Sequence, residues 1–501
     1  MTPERPLLIV SLPGRSPESV RREAERARSA GADLGEVRLD RWTPEDRERV
    51  GELFPSALPL LLTLRSRLEG GEGPDDPRER ADALRSASRA PFQWVDLEEA
   101  RDLSLADELR EDERRRLVFS AHEAKCLTSA ELVERLRRPL PSHVVRKLVM
   151  PARVGEVTDE IWPTLQALDP GPFAVLTTGP SGPWLRVEAA RLRSPFTFAA
   201  LPSNSREDTA PVETSQVPVD RLRWYFEAEG HGPLFAVVGH PIGHSQSPYL
   251  HSRWMRTEGR RGAYIPLDIV SESEFVECLE PLAEAGFRGL NVTHPWKSVA
   301  LASASSVRRG AERSGAANCL SFQDGEIEAE NTDLAAMVRR LEELRASDAW
   351  AGDEVLVVGS GGAAAASLAA AEACGARCGI LSRDPAKAEA LAARFGAEVR
   401  DPTAPRQSAF VIHATDVGRG TGRSLEVPMA DFLAPRGYVL DWVYAPDEPL
   451  VRAIAERAAA RYEDGWRLLV YQAMSTFGIW WGAEPTPEEV ARTIEEGPCA
   501  A

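Results

Sequence analysis

The sequence predicts an α/β protein: an N-terminal (β/α)8 barrel, then a second α/β region carrying a glycine-rich strand-to-helix turn of the dinucleotide-binding kind. Three observations predict this. Eight short β-branched or apolar runs (LLIVSLP, GEVRLD, LPLLLTLRS, FQWVDLE, LVFSAH, HVVRKLVM, FAVLTTG and FTFAAL) recur about every 20 to 30 residues, separated by Arg/Glu/Ala-rich stretches of helical periodicity. Eight strands with helices between them, within about 200 residues, is the count of a (β/α)8 barrel. The pattern then restarts at Leu234 with the strand FAVVG, and further on DEVLVVG runs into GSGGAAAASLAAAEACGA, a strand, a glycine turn and an Ala-rich helix. Finally, 501 residues are roughly three times the ~150 of one domain, which leaves room for two lobes after the barrel.

Composition narrows the function classes. The formal charge of −17 argues against the broad basic surface that nucleic acid or an anionic membrane requires, so a small anionic substrate would need local basic pockets. No apolar run approaches the ~20 residues of a membrane span, and MTPERPLLIV lacks the form of a signal peptide, so a cytoplasmic protein is expected. The six cysteines (126, 278, 319, 374, 378 and 499) show no CxxC spacing. Of the 60 basic residues only four are lysines, at 125, 147, 297 and 387. Arginine stays protonated and cannot act as an amine nucleophile, so each surviving lysine is a candidate for amine chemistry.

In a (β/α)8 barrel the chemistry sits at the C-terminal strand ends, and polar residues collect there. Glu36 and Arg38 alternate on the second strand and so share a face; Arg65 ends the third and Glu69 follows it; His122 ends the fifth; Lys147 lies in the sixth. Lys147 is flanked by Val144, Val145, Leu148 and Val149, surroundings in which a charged amine is costly to bury and the neutral, nucleophilic form is favoured. His122, oriented by Glu69, offers a general acid and base, while Arg38, Arg65 and Arg186 can hold a carboxylate. His143 has no such company and reads as structural.

These residues resemble type I 3-dehydroquinate dehydratase. The matches are GEVRLD, TLRSRLEGGE, FSAH, KLVMP and GPSGPWLR, spread over residues 1 to about 222. The resemblance implies that Lys147 forms an imine, that His122 moves protons, and that Glu36, Arg38, Arg65, Glu69 and Arg186 frame the substrate. The family's closing loop resembles SAPGQ; this chain has TAPVETSQVP, in which Gln216 can be matched. The turn-rich stretch 202–218 reads as lid, linker or both.

In the second half, Ser245 and Ser247 offer two hydroxyls to a polyol or carboxylate. Lys297, just after a strand, and Asp333 form a candidate proton-transfer pair. His240, His244 and His251 lack the spacing and carboxylate company of a metal site, so none is expected. Gly359, Gly361, Gly362 and Ala363 form a turn that lets a backbone approach a pyrophosphate. The next strand ends at Arg383, which with Lys387 suits a ribose 2′-phosphate, whereas Asp384 suits a bare ribose.

From about residue 233 onward the chain resembles shikimate dehydrogenase, through SQSP, NVTHPWK, ANC, NTD, GSGGA, SRDPAK, DWVYAP and DGWRLLVYQA in the family's order. The resemblance implies a two-lobed α/β dehydrogenase with a Rossmann-like cofactor lobe and NADP(H) as cofactor. It also implies that Ser245, Ser247, Thr293, Asn318, Tyr444 and Gln472 contact shikimate, that Lys297 and Asp333 carry the proton, and that Gly465 lies near the nicotinamide. The family's NRT appears as Ser382, Arg383 and Asp384, and its NATxxG is altered at His413 and Asp416.

The expected organisation is a barrel at 1–222, a substrate lobe at 223–335 completed by 462–501, and an NADP-binding lobe at 336–461. The expected function is two consecutive steps, 3-dehydroquinate to 3-dehydroshikimate and then to shikimate, on small-molecule substrates with no nucleic-acid or membrane partner. Alternatives are an NAD-dependent quinate or shikimate oxidising enzyme, or an inactive metabolite sensor; the retained Lys147, His122, Lys297 and Asp333 speak against the sensor. With a complete set of catalytic groups on each side of 202–222, the halves are expected to separate with little core exposed.

Overall fold

The computed structural model describes residues 5–109, 116–141, 144–202, 215–227, 232–350, 352–418, 424–444 and 449–498. His143, Cys499 and most of the 202–218 stretch lie outside the described residues.

Each of the eight apolar runs forms a strand: β1 Leu7–Leu12, β2 Leu34–Arg38, β3 Leu60–Thr63, β4 Trp94–Glu98, β5 Arg116–His122, β6 Val144–Pro151, β7 Phe173–Thr178 and β8 Phe196–Ala200. They form one parallel sheet in the order β7-β6-β5-β4-β3-β2-β1-β8, to which the short β9, Val217–Pro218, is added beside β8. The sheet curls on itself, because one interior cluster takes a side chain from every strand: Ile9, Leu34, Leu61, Trp94, Val118, Val145, Ala174 and Phe196. That plug fills the barrel, so the polar side chains are left at one rim. The strand register sets Arg38 beside Thr63, Thr63 beside Asp96 and Ser120 beside Lys147, which gathers the site across neighbouring strands.

The second half forms two sheets. β10 Leu234–Gly239, β11 Ala263–Asp268, β12 Phe287–Val292, β13 Ser306–Val307, β14 Cys319–Gln323 and β15 Glu326–Glu330 pair in the order β11-β10-β12-β14-β15-β13. β16 Glu354–Val358, β17 Arg377–Leu381, β18 Glu398–Val399, β19 Ser408–His413, β20 Leu433–Asp441 and β21 Arg461–Glu463 pair in the order β18-β17-β16-β19-β20-β21. The latter is the 3-2-1-4-5-6 order of a doubly wound dinucleotide fold, whose ligand crevice lies where the order reverses, between β16 and β19. Two helices, Thr332–Ala346 and Trp466–Trp481, pack on one another and bring Asp333 and Gln472 to the cleft between the sheets.

Two expectations about the boundary are corrected. Residues 222 and 223 fall inside the helix Val219–Phe226, whose Leu222 and Tyr225 are buried. Nor do the halves meet lightly. Trp184, Val187, Val217 and Leu222 belong to the same buried cluster as Ala263, Ile265, Phe287 and Leu290. Across that seam Trp184 packs edge-on to Phe287 with ring centroids 5.4 Å apart, Arg191 donates to the Ala285 carbonyl at 2.8 Å, and the Gly155 N–H donates to Glu274 at 3.1 Å.

Candidate active sites

At the barrel rim Lys147 is only 3 % exposed, and its Nζ donates to Asp96 Oδ2 at 2.8 Å. The expectation of an amine among apolar neighbours alone is therefore corrected: Asp96, on the next strand but one, supplies a counter-charge, and the Phe198 ring lies 4.8 Å from Nζ. The other Asp96 oxygen, Oδ1, accepts from Arg65 at 2.8 Å and from Ser120 at 2.6 Å. Burial opposes ionisation of Asp96, but Arg65 and Lys147 outweigh it and hold the carboxyl well below the usual range.

Arg65 is buried and also donates to Glu69 at 3.0 Å, Glu98 at 3.3 Å and Ser120 at 3.0 Å. These protein partners fix its guanidinium at the rim. Glu69 holds His122 Nδ1 at 3.0 Å and accepts from Arg101 at 3.1 Å. Burial lifts the Glu69 carboxyl to about 7, against the pull of Arg65. Burial, then the charges of Arg65 and Lys147, holds His122 well below its ordinary value, so the imidazole is neutral at pH 7.

Around this centre, Glu36 accepts from Ser11 at 2.7 Å and from Thr63 at 2.9 Å, and Gln216 reaches the same Ser11 hydroxyl at 3.2 Å. Arg38 forks onto Asp40 with contacts of 2.9 and 2.8 Å. Arg186, in the short helix Gly182–Val187 after β7, donates to the Thr177 carbonyl at 2.6 Å. Asp96, Glu98 and Ser120 were not singled out by sequence reasoning. A signal was present: in WVDLE the acids alternate with apolar residues at the strand period, which marks a polar row on an otherwise buried strand.

In the second half, a cleft of about 800 Å³ is lined by Ser245, Ser247, Thr293, Lys297, Asn318, Asp333, Tyr444 and Gln472 on one side and by Gly359, Gly361, Gly362, Ala363, Arg383, Lys387 and Gly465 on the other. Lys297 Nζ donates to Asp333 Oδ2 at 2.6 Å. Lys297 opens the helix Lys297–Ala302, and Asp333 stands in the first turn of Thr332–Ala346, whose N-cap Asn331 accepts from the Leu334 N–H. Asn318 accepts from the Thr332 N–H at 2.7 Å and lies 3.5 Å from Gln472. Asn291, unremarked in the sequence, lines the cleft while its side chain accepts from Tyr264 at 2.8 Å. Of the three histidines set aside as metal ligands, His240 pairs with Asp268 at 2.8 Å and His251 stacks on Tyr264 with centroids 4.3 Å apart.

The residues on the cofactor side fit a dinucleotide. Gly359 has φ +130°, and a Cβ there would meet the Ala414 carbonyl oxygen at 2.5 Å; a Cβ on Gly361 would have no atom within 4 Å, so the turn faces open space at the start of the helix Gly362–Ala373. Asp384 caps the helix Pro385–Phe395 by accepting from the Lys387 N–H, a structural duty that accounts for an acid at this position. Arg383 contacts Glu426 at 2.8 Å. The altered His413 is wholly buried, with Nδ1 2.7 Å from Asp441 and Nε2 2.6 Å from the Thr415 hydroxyl, and Thr415 lines the cleft.

Comparison with known proteins accords with this geometry. The shikimate dehydrogenase (NADP(+)) of Acidiphilium cryptum is 38% identical over 265 residues, covering 52% of this chain and 94% of the relative. This chain belongs to the shikimate dehydrogenase family. Its residues 237–320 match the family model of the shikimate dehydrogenase substrate binding domain, and residues 8–231 match that of type I 3-dehydroquinase. The dehydrogenase of Gluconobacter oxydans is 35% identical over 263 residues, covering 51% of this chain and 93% of the relative. Among solved structures, shikimate 5-dehydrogenase from Thermus thermophilus in complex with NADP(H) and shikimate is 30% identical, covers 52% of this chain and 98% of that one, and has a TM-score of 0.46. The dehydroquinate dehydratase and shikimate dehydrogenase from S. pombe is 21% identical, covers 98% of both chains and has a TM-score of 0.43. Type I 3-dehydroquinase and shikimate dehydrogenase regions are joined in this one chain. Among the described residues no cluster could hold a metal ion, and no helix is long and apolar enough to cross a membrane.

Proposed function

We propose that the barrel dehydrates 3-dehydroquinate to 3-dehydroshikimate through an imine on Lys147, and that the cleft reduces 3-dehydroshikimate to shikimate with NADPH. The observation that carries this reading is that each half gathers its own proton-handling groups at its own pocket: Lys147, His122 and Glu69 at the rim, and Lys297 with Asp333 in the cleft.

In the barrel, the Lys147 amine adds to the substrate ketone and water leaves as the imine forms. The imine acidifies the adjacent carbon, whose proton neutral His122 accepts and then delivers to the departing hydroxyl. Hydrolysis of the imine returns the amine. Glu69, titrating near 7 at hydrogen-bond distance from His122, can buffer that proton. Glu36, Arg38, Arg186 and Gln216 frame the substrate, while Arg65 holds the acidic cluster in place.

In the cleft, bound NADPH supplies the hydride. Lys297 donates the proton to the carbonyl oxygen being reduced, and Asp333 positions the amine and recharges it. Ser245, Ser247, Thr293, Asn318, Tyr444 and Gln472 hold the substrate's hydroxyls and carboxylate. Gly359 to Ala363 would accommodate the pyrophosphate, Arg383 and Lys387 would take the 2′-phosphate, and Gly465, where a Cβ would collide with the Trp442 carbonyl oxygen, would lie near the nicotinamide. A cytoplasmic location belongs to the same proposal, supported by the free thiols of Cys126, Cys278, Cys319, Cys374 and Cys378.

The test is one vessel with purified chain, 3-dehydroquinate and NADPH. Shikimate should accumulate as NADPH is consumed. Lys147→Arg should abolish that flux yet leave oxidation of shikimate intact, because guanidinium keeps the charge but forms no imine. Lys297→Ala should lower shikimate oxidation by roughly 10² to 10⁴ with dehydration unchanged. Borohydride added with 3-dehydroquinate should fix ligand mass on Lys147; labelling of another residue overturns the imine.

A further inference from the structure

We infer that Glu426 sets how strongly the cofactor lobe prefers a ribose 2′-phosphate over a bare ribose. The inference rests on the NADP reading above and adds to it a residue that nothing in the sequence pattern singles out.

Arg383 follows β17, and its guanidinium Nη1 lies 2.8 Å from the carboxylate of Glu426, which precedes the helix Met429–Phe432. Both side chains are more than half exposed, and both line the large cleft together with Asp384 and Lys387. Lys387 Nζ in turn lies 3.4 Å from Asp384 Oδ2. The patch that would receive a 2′-phosphate therefore holds two cations and two acids, and its formal charges cancel.

The two acids are not equivalent. Asp384 caps the helix Pro385–Phe395 through the Lys387 N–H, so its carboxylate has a structural duty and its position is set by the backbone. Glu426 has its contact with the Arg383 side chain. A phosphate monoester carries about −1.5 to −2 charge at neutral pH, and to engage the Arg383 fork it must take the place of that carboxylate and then remain close to it. A bare ribose has no group that competes for the guanidinium. Glu426 thus opposes the phosphorylated cofactor alone. Because exposed ion pairs are weak and screened by salt, Glu426 trims the preference rather than reversing it.

Calorimetry on the full chain, with 2′,5′-ADP and 5′-AMP as probes, tests this without turnover. Glu426→Gln should tighten 2′,5′-ADP about two- to fivefold at low ionic strength, with 5′-AMP unchanged and the gain shrinking as salt is added. Glu426→Ala should move affinity in the same direction, and equal melting temperatures would show that the fold is kept. Unchanged or weaker 2′,5′-ADP binding in both variants, or equal tightening of 5′-AMP, overturns the inference. A parent chain that binds the two probes equally, with Arg383→Ala affecting neither, overturns the NADP reading and the inference with it. A parent that prefers 2′,5′-ADP while both Glu426 variants match it overturns the inference alone.

Discussion

Asp96→Asn isolates the group on which the barrel site turns. The carboxylate is 2 % exposed and serves three donors: Lys147 at 2.8 Å, Arg65 at 2.8 Å and Ser120 at 2.6 Å. Asparagine preserves the shape but removes the charge and turns an NH₂ toward one of those donors. Two buried cations then share a site from which their nearest anion has gone; removing one partner of a buried pair costs about 3 to 5 kcal/mol, a large share of the ~5 to 15 kcal/mol by which a domain is stable. Freed from its partner, Nζ also loses its fixed position, and a misplacement of about 1 Å is enough for a hundredfold loss of rate. We expect dehydration to fall by at least about 10², with shikimate oxidation at the parent rate and the barrel melting earlier. The assays are the two activities measured separately and differential scanning calorimetry. Should Asp96→Asn dehydrate and melt like the parent, the ion pair does not organise the site and the argument fails.

Two further perturbations probe the second half and the seam. Burial among aromatic rings depresses His251 from the ordinary 6.5 to about 3; its contribution is complete above pH 6.5 and is lost as pH falls toward 3, at about 1.4 kcal/mol per pH unit. Between pH 6.5 and 5 that is about 2 kcal/mol, so the melting temperature of His251→Phe should fall less steeply with acid than the parent's; parallel curves would refute it. Fragments 1–227 and 232–501, expressed apart, should be less soluble and melt lower than the whole chain, because Trp184, Val187 and Leu222 share a core with Ile265 and Phe287. Fragments as soluble and as stable as the intact chain would show the seam to be incidental.

Legibility in the sequence followed the range of the interaction. The strands were legible because alternation and spacing are local, and each apolar run became a strand. Lys147 and Lys297 were legible for a compositional reason: in a chain that uses arginine for charge, a lysine stands out. Lys125, for which no role was assigned, is 73% exposed beside Glu131. Partners were not legible. Asp96 is separated from Lys147 by 51 positions and Glu426 from Arg383 by 43, and no periodicity reports which strand ends or loops a fold will bring together. For Arg65 the sequence shows an arginine's charge but not the three carboxylates that meet it.

The seam between the halves illustrates the same limit at a larger scale. An amphipathic helix reveals that one face must be buried, not what buries it. The helices outside a barrel normally turn their polar faces to water, yet here Trp184 is fully buried with Trp162 at 5.9 Å on one side and Phe287 of the other half at 5.4 Å. A tryptophan in that position is uninformative in sequence, because a barrel can bury it against its own strands equally well. Its burial against β12 matters for the dehydrogenase as well, since β12 begins at Phe287 and leads directly to Thr293 and Lys297 at the cleft. The strand that leads to Lys297 is thus braced at its far end by the barrel, which is why the chain is better regarded as two sites on one shared core than as two enzymes on a tether.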